Sequence, residues 1–583
     1  MLSLKKAAGE LHFSVNYWLL WLEEKFSRTG LELQKSEWLF LLGIVSLCFA
    51  FLIIGLNGDS PICTENDELC YAPVSLFMIN HNTLDPGWFT NPASTTIYSL
   101  AVYYKIIQFF TGHAIVAQQF TPTQMCFRNM DLLLKWPRLT SVAFVLFSLP
   151  LLYVVGRKWM GKASAMLGVT FYALSPLVVY YGQILRPDML ANLLIVLCIF
   201  LLDRLCEVTS NRRLSVILGG VIGLAVSTRF FCLALVVPLA TVYGIALIRS
   251  ATNKERIEIF CCGLIAAVVS FCTFFITSPF VFFDFHQLLD DLKFETQSDF
   301  AELTGLGPFG NLRYYIVEGI PEAIGVWLTG SAFLGLALIP WRRRTFKTFI
   351  YLTLLAVFAV GTCINPRHWA RWVLPVLPVL ALLAGFGLTS LFDFLNYLLS
   401  KRISANAART TSLVIVLVLG VSSFFFPLRR LIFDQWQKSR LSERALVFPY
   451  ITSSIARGSK IALDSSWDWP NKELYQVTPD IWRPDFVPPR PHNYHFPEDL
   501  ANAGFEYMIV QRWNREYYMW DENKAKYPNE YAFFHALTEH VPLIFTTHVE
   551  NHPFVLGKQI GSRVSPVEVY DLRPLANKNP LRK

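Results

Sequence analysis

Charge is what this sequence has least of. Only 16% of its 583 residues are Asp, Glu, Lys or Arg, against 53% apolar ones, a balance too apolar for a soluble multidomain enzyme in a chain too long for a single core. It also lacks any CxxC pair or Cys/His cluster with zinc-site spacing, which argues against a structural zinc. Neither an internal repeat nor a low-complexity tract is present. The first apolar run, Tyr17 to Leu22, is too short to span a bilayer and has no small-residue cleavage site. It therefore predicts an interfacial amphipathic helix rather than a signal peptide.

What the chain does have is long apolar runs. A window of roughly 20 residues finds about eleven candidate spans, near 38–55, 139–156, 163–182, 189–203, 214–227, 231–248, 258–277, 322–340, 348–364, 373–392 and 411–426, of which 189–203 and 214–227 are short. The net charge of +8 is gathered in clusters between these runs, such as Arg157 with Lys158 and Lys162, Arg212 with Arg213, and Arg342 to Arg344. This is the positive-inside pattern, and it speaks against a nucleic-acid-binding face.

An odd number of spans then puts the loop around Asp67 and everything after about residue 427 on the outer side. The expected fold class is a polytopic α-helical membrane protein carrying a small C-terminal α/β domain outside the membrane. Its expected parts are an interfacial helix at 1–36, a transmembrane domain at 37–426 with a large first outer loop at 56–137, and the α/β domain at 427–583. Within the first outer loop, 95–111 is read as a helix lying in the interface, because counting it as a span would reverse the charge bias of every later loop. In the last part, β-like runs at Lys460–Leu463, Tyr507–Val510, Leu543–His548 and Val567–Tyr570 alternate with helical stretches near 438–456 and 529–540, as in a small α/β unit.

Eight of the eleven cysteines sit in or beside apolar runs, where thiols behave as small hydrophobes. Cys63, Cys70 and Cys126 lie in polar loop. In an oxidising compartment a Cys63–Cys70 disulfide would brace the neighbouring acids, but three cysteines leave the pairing open.

Chemistry points to the outer ends of the spans. Asp67-Glu68 opens the long polar interruption after the first span; Arg186-Pro187-Asp188, Arg229, Asp284, His286, Arg367 and Arg371 stand at other span ends on the same side. Ionisable groups at membrane depth are costly and mark functional sites. A carboxylate there can take a proton from an acceptor, and arginines can hold a phosphate. Each residue also has a plainer reading. Asp67-Glu68 fits a solvated loop, Asp188 a helix cap, Arg229 and Arg371 side chains snorkelling to the interface, and His286 and His368 packing in a loop.

Asp67-Glu68, Leu84-Asp85-Pro86 and Trp88-Phe89-Thr90-Asn91-Pro92 resemble the first outer loop of bacterial membrane glycosyltransferases related to protein O-mannosyltransferases and the lipid A aminoarabinose transferase. Ser175-Pro176, Pro187-Asp188, Ser227-Thr228-Arg229, Thr277-Ser278-Pro279-Phe280 and Arg371-Trp372-Val373-Leu374-Pro375 follow in family order, and Ser565 to Leu572 is similar to the closing strand. The resemblance implies a GT-C fold in a bacterial inner membrane, a polyprenyl-phosphate sugar donor, and inverting transfer on the outer face to a lipid, glycan or protein acceptor through its hydroxyl or amine.

It further implies Asp67 as base, Glu68 as its partner or a supporting ligand, Asp188 as the second acid, and donor phosphate bound by Arg229, Arg371, Arg367 and Arg186. A divalent metal held by the acids stays open, since relatives differ in needing one. Departures include Glu65-Asn66 in place of a His-Pro often found before the acidic pair, the lack of a second Pro or Tyr common near Asn91-Pro92, and Arg229 in place of a more usual Lys. Two other functions compete, a transporter or flippase of an anionic or lipid-linked substrate and a non-enzymatic envelope scaffold. Transporters place charge at the midplane between repeated halves, and a scaffold leaves the acids and arginines unexplained.

Overall fold

The computed structural model describes residues 33–57, 68–89, 93–112, 134–296, 307–439 apart from 344 and 366, 443–464, 474–478, 495–547 apart from 526, and 566–576. Residues 1–32 of the expected N-terminal part, Asp67, and both Cys63 and Cys126 lie outside these residues, as does the side chain of Cys70.

Most of the described chain is a helical bundle. Seven helices are long and apolar enough to cross a membrane, or nine if two bent pairs each count as one span. Length and hydropathy do not by themselves confirm the expected count of eleven, because two further helices fall short of those measures. Asp188–Leu205 carries Asp188, Asp203 and Arg204 within its 18 residues, and Arg212–Thr228 has only 17 residues. Both still run from one end of the bundle to the other. Asp188 begins its helix beside Arg229, and Asp203, near the far end, meets Lys158 and Lys347 at the ends of two other helices.

The bent pairs were expected as single spans at 163–182 and 322–340. The first breaks by 54° between Lys162–Ala173 and Pro176–Gly182, where Pro176 starts a new helix instead of continuing the old one. The second turns by 113° at Gly325, whose φ of +88° suits glycine and whose missing side chain leaves room for Pro427.

Leu377–Ser400 is the most buried of the candidate spans, 72% of its apolar window lying inside the protein. Glycine lets its neighbours approach. A Cβ on Gly385 would collide with the Ser164 carbonyl, and one on Gly387 with the Ser331 carbonyl. Small residues at such crossings are how helices pack tightly where lipid removes the hydrophobic drive between them. Ser94–Thr111 forms the helix expected at 95–111; it buries Ile97, Leu100 and Tyr104 and exposes Phe109 and Phe110.

The last long helix, Ala405–Lys438, continues well past 426. The chain after it holds a five-stranded mixed sheet of β1 (Lys460–Leu463), β2 (Gln476–Thr478), β3 (Tyr507–Gln511), β4 (Leu543–Thr546) and β5 (Val567–Asp571), in the order β2-β1-β3-β5-β4. Strands β1, β2 and β3 run parallel, while β5 pairs antiparallel with β3 and β4. Helices Glu443–Ser454 and Pro528–His540 stand where helical stretches were expected.

Candidate active site

Asp188 is the centre of the described charges. It opens the Asp188–Leu205 helix directly after Pro187, where the helix dipole favours a negative group. Arg229 reaches it from a break in the chain. The Arg212–Thr228 helix stops, Arg229 takes extended backbone, and a short 3₁₀ turn resumes at Phe230. The Arg229 guanidinium donates through Nη2 to both Asp188 oxygens at 2.8 Å, and Arg186 donates through Nε to Oδ2 at 2.8 Å. All three side chains are nearly inaccessible to solvent.

Arg371 sits in the 3₁₀ turn Ala370–Val373, close enough to act electrostatically on both Asp188 and Arg229. Its guanidinium lies 4.2 Å from the centre of the Trp369 ring, a cation–π contact that fixes a long side chain. Three segments remote in sequence thus bring three arginines to one carboxylate.

The segment that follows the first long helix is tied to this cluster. Glu68, wholly buried, accepts from Arg138 Nε at 2.8 Å and from Arg138 Nη2, and it also accepts the backbone N–H of Leu185, next to Arg186. Arg138 in turn donates to the Leu56 carbonyl at 3.0 Å. Tyr71, one turn after Glu68, lies near enough to Arg229 to influence it. Further along, Thr95 and Thr228 share a hydrogen bond of 2.8 Å, and Phe89 N–H donates to Asp291 at 2.6 Å. The helix that begins immediately after Asp67 is therefore clamped against the Asp188 cluster.

Other expected site residues are placed less centrally. Arg367 and His368 are buried on the loop that leads to Arg371, with the His368 ring 4.5 Å from that of Tyr314. Burial pushes the His368 imidazole below its ordinary value, against the opposing charge of Glu318. The Asp284 carboxylate accepts a long 3.5 Å contact from the Gln287 backbone amide.

Several residues of this region were not expected. Arg138 looks in sequence like an ordinary basic flank, although its place at a span end expected to face outward, where the charge bias predicts few cations, is the signal that marks it. Lys438, at the end of the last long helix, is another. It donates to Gln183 Oε1 and lies 4.4 Å from the Tyr180 ring, while Gln183 also donates to the Phe51 carbonyl. Neither Gln183 nor Lys438 belongs to a recognisable motif.

A metal was an open expectation here, and the described residues do not fit one. Glu68 is engaged by Arg138 and the Leu185 amide, and Asp188 by two arginines. Among the described residues no three acidic, histidine or cysteine side chains gather as ligands.

Residues 135–276 match the model of the dolichyl-phosphate-mannose-protein mannosyltransferase family. The resemblance read from the motifs is borne out there. The matched stretch contains Ser175-Pro176, Pro187-Asp188 and Ser227-Thr228-Arg229, and with them Arg186, Asp188 and Arg229 of the cluster, together with Arg138. A search by sequence returns no similar curated protein.

Among solved structures, ArnT from Cupriavidus metallidurans bound to undecaprenyl phosphate aligns over 94% of this chain and 100% of that one, at 13% identity and a TM-score of 0.47. The archaeal oligosaccharyltransferase AglB from Archaeoglobus fulgidus, in complex with an inhibitory peptide and a dolichol-phosphate, aligns over 84% and 72%, at 12% identity and a TM-score of 0.46. The S. cerevisiae protein O-mannosyltransferase Pmt1-Pmt2 complex bound to the sugar donor aligns over 48% and 37%, at 13% identity and a TM-score of 0.33.

Proposed function

We propose that the protein is a membrane glycosyltransferase that moves a sugar from a polyprenyl-phosphate donor to an acceptor hydroxyl or amine at the outer membrane face. One observation carries this reading: Arg186, Arg229 and Arg371 converge on Asp188 at a helix start, beside the clamped segment that follows Asp67. Guanidinium groups are suited to a phosphate because their planar donors meet its oxygens in pairs. A lipid tail can remain in the bilayer while its phosphate reaches arginines at span ends. The family match over 135–276 supports the same chemistry.

In this reading the acceptor oxygen or nitrogen attacks the anomeric carbon on the face opposite the phosphate, so the configuration inverts. The bond from that carbon to the phosphate oxygen breaks, and its electron pair leaves with the polyprenyl phosphate. Asp67 takes the acceptor proton. The arginines neutralise the charge that grows on the departing phosphate, Asp188 holds two of them in place, and Arg367 flanks the path. Glu68 acts as a positioning residue, because its carboxylate is spent on Arg138 and the Leu185 amide.

Membranes containing the full chain and a labelled polyprenyl-phosphate sugar provide the test. The account expects labelled acceptor and free polyprenyl phosphate to form together. Passage of intact donor across the bilayer with no bond cleavage would replace it with a flippase.

A further inference from the structure

We propose a second anion site, for a phosphate group, at the opposite end of the bundle from Asp188. A cavity of about 440 Å³ is lined there by Lys162, Arg342, Arg343, Thr389, Ser390 and Asp393. Its position follows from the Trp136–Met160 helix. Arg138 adjoins Glu68 and Met160 lines the cavity, so nearly the whole helix, roughly 33 Å at 1.5 Å per residue, separates the two sites.

Four features of the cavity suit a phosphate. The Lys162–Ala173 helix begins in its wall, with Gly161 as a cap that offers no side-chain oxygen, so first-turn amides lacking intrahelical partners face an anion-favouring end. Arg342 is matched by Asp393 at 3.1 Å. By contrast, Lys162 donates to the neutral oxygens of Gln34 and Ser36 at 3.0 and 3.1 Å, and Arg343 to the Met160 carbonyl at 3.4 Å. Finally, Ser390 is 2% exposed, and its hydroxyl has no hydrogen-bond partner among the described residues. A buried hydroxyl left unsatisfied calls for an explanation, and because Ser390 lines the cavity, rotation about its side-chain bond toward a ligand oxygen would supply one.

The phosphate has two possible sources, a lipid headgroup or a soluble anion. Trp341, 72% exposed beside Arg342, favours the lipid, because tryptophan concentrates at the membrane–water interface where headgroups lie.

Calorimetric titration of the detergent-solubilised full chain separates the sources, using phosphatidic acid, phosphatidylcholine and inorganic phosphate in parallel. The proposal expects phosphatidic acid to bind more tightly than phosphatidylcholine, and the joint Lys162→Ala and Arg343→Ala variant to lose roughly ten-fold or more in affinity. Ser390→Ala should weaken binding less, and Arg213→Ala, an exposed cation outside the cavity, should leave it unchanged. Inorganic phosphate binding with the same variant dependence, in the absence of lipid binding, would keep the site and assign a soluble ligand. Binding by neither, or binding that the double variant retains, overturns the proposal. The Asp188 cluster is untouched by these variants, so donor binding there cannot mimic the result.

Discussion

At the scale of single residues, one buried acid is matched to one buried base beside the Asp188 cluster. Glu68 and Arg138 are both almost wholly buried and joined by two hydrogen bonds. Removing one partner of such a pair strands the other charge, at a cost of about 3–5 kcal/mol. Glu68→Ala should therefore lower the thermal unfolding midpoint of the solubilised protein strongly, whereas replacing Glu68 and Arg138 together by apolar residues should lower it much less. Arg229 and Arg371 belong to function in this account. Alanine at either should weaken donor binding, and lysine at Arg229 should restore only part of it, because a point charge cannot span both oxygens as a guanidinium does. Equilibrium binding of a non-transferable donor analogue checks this, and unchanged affinity in both alanine variants would remove them from the site. These two arginines and Asp188 were legible in sequence because charge at a span end is costly and rare. Arg138 carried a signal in its position at a span end where few cations are expected, whereas Lys438 lies well beyond the expected last span and belongs to no motif.

At the scale of elements, two contacts carry separate predictions. Gly385 in the Leu377–Ser400 helix meets the Ser164 backbone with no room for a Cβ. Gly385→Leu should thus separate the two helices and make the solubilised protein sensitive to protease at temperatures where the parent resists. In the sheet, Glu568 on β5 accepts from Arg512 at 2.7 Å, Arg515 at 3.0 Å and the Tyr570 hydroxyl at 2.8 Å. Burial raises its carboxyl, but Arg515, Arg512 and Tyr570 outweigh that and hold it below the ordinary 4.5. A group lowered in the folded state stabilises above its unfolded value and loses that contribution as pH falls through the folded one. The difference in unfolding midpoint between parent and Glu568→Gln should accordingly be largest near neutral pH and shrink below about pH 4. A constant difference would show that the pair does not titrate as described. Strands β1, β3, β4 and β5 were legible from their runs of β-branched and aromatic residues, while the three residues of β2 are too few to show a pattern. The helix breaks were hidden because a hydropathy window averages across Pro176 and Gly325.

At the scale of the whole molecule, charge sorts by membrane end. Lys158, Asp203 and Lys347 meet at one end, and Glu68, Asp188, Arg229 and Arg371 gather at the other. From the positive-inside bias we propose that the first end faces the cytoplasm. Protease added to intact spheroplasts should then digest the chain beyond about residue 430, and protection until the membrane is opened would reverse the orientation. The central claim is the transfer chemistry, and Asp67→Asn tests it most directly. The substitution keeps nearly the same shape but cannot accept a proton, so the variant should reach normal membrane levels and bind donor as the parent does. Measured as labelled acceptor formed at saturating donor, its turnover should fall by about 10²–10⁴-fold, the usual contribution of a general base; turnover equal to that of the parent would contradict the account.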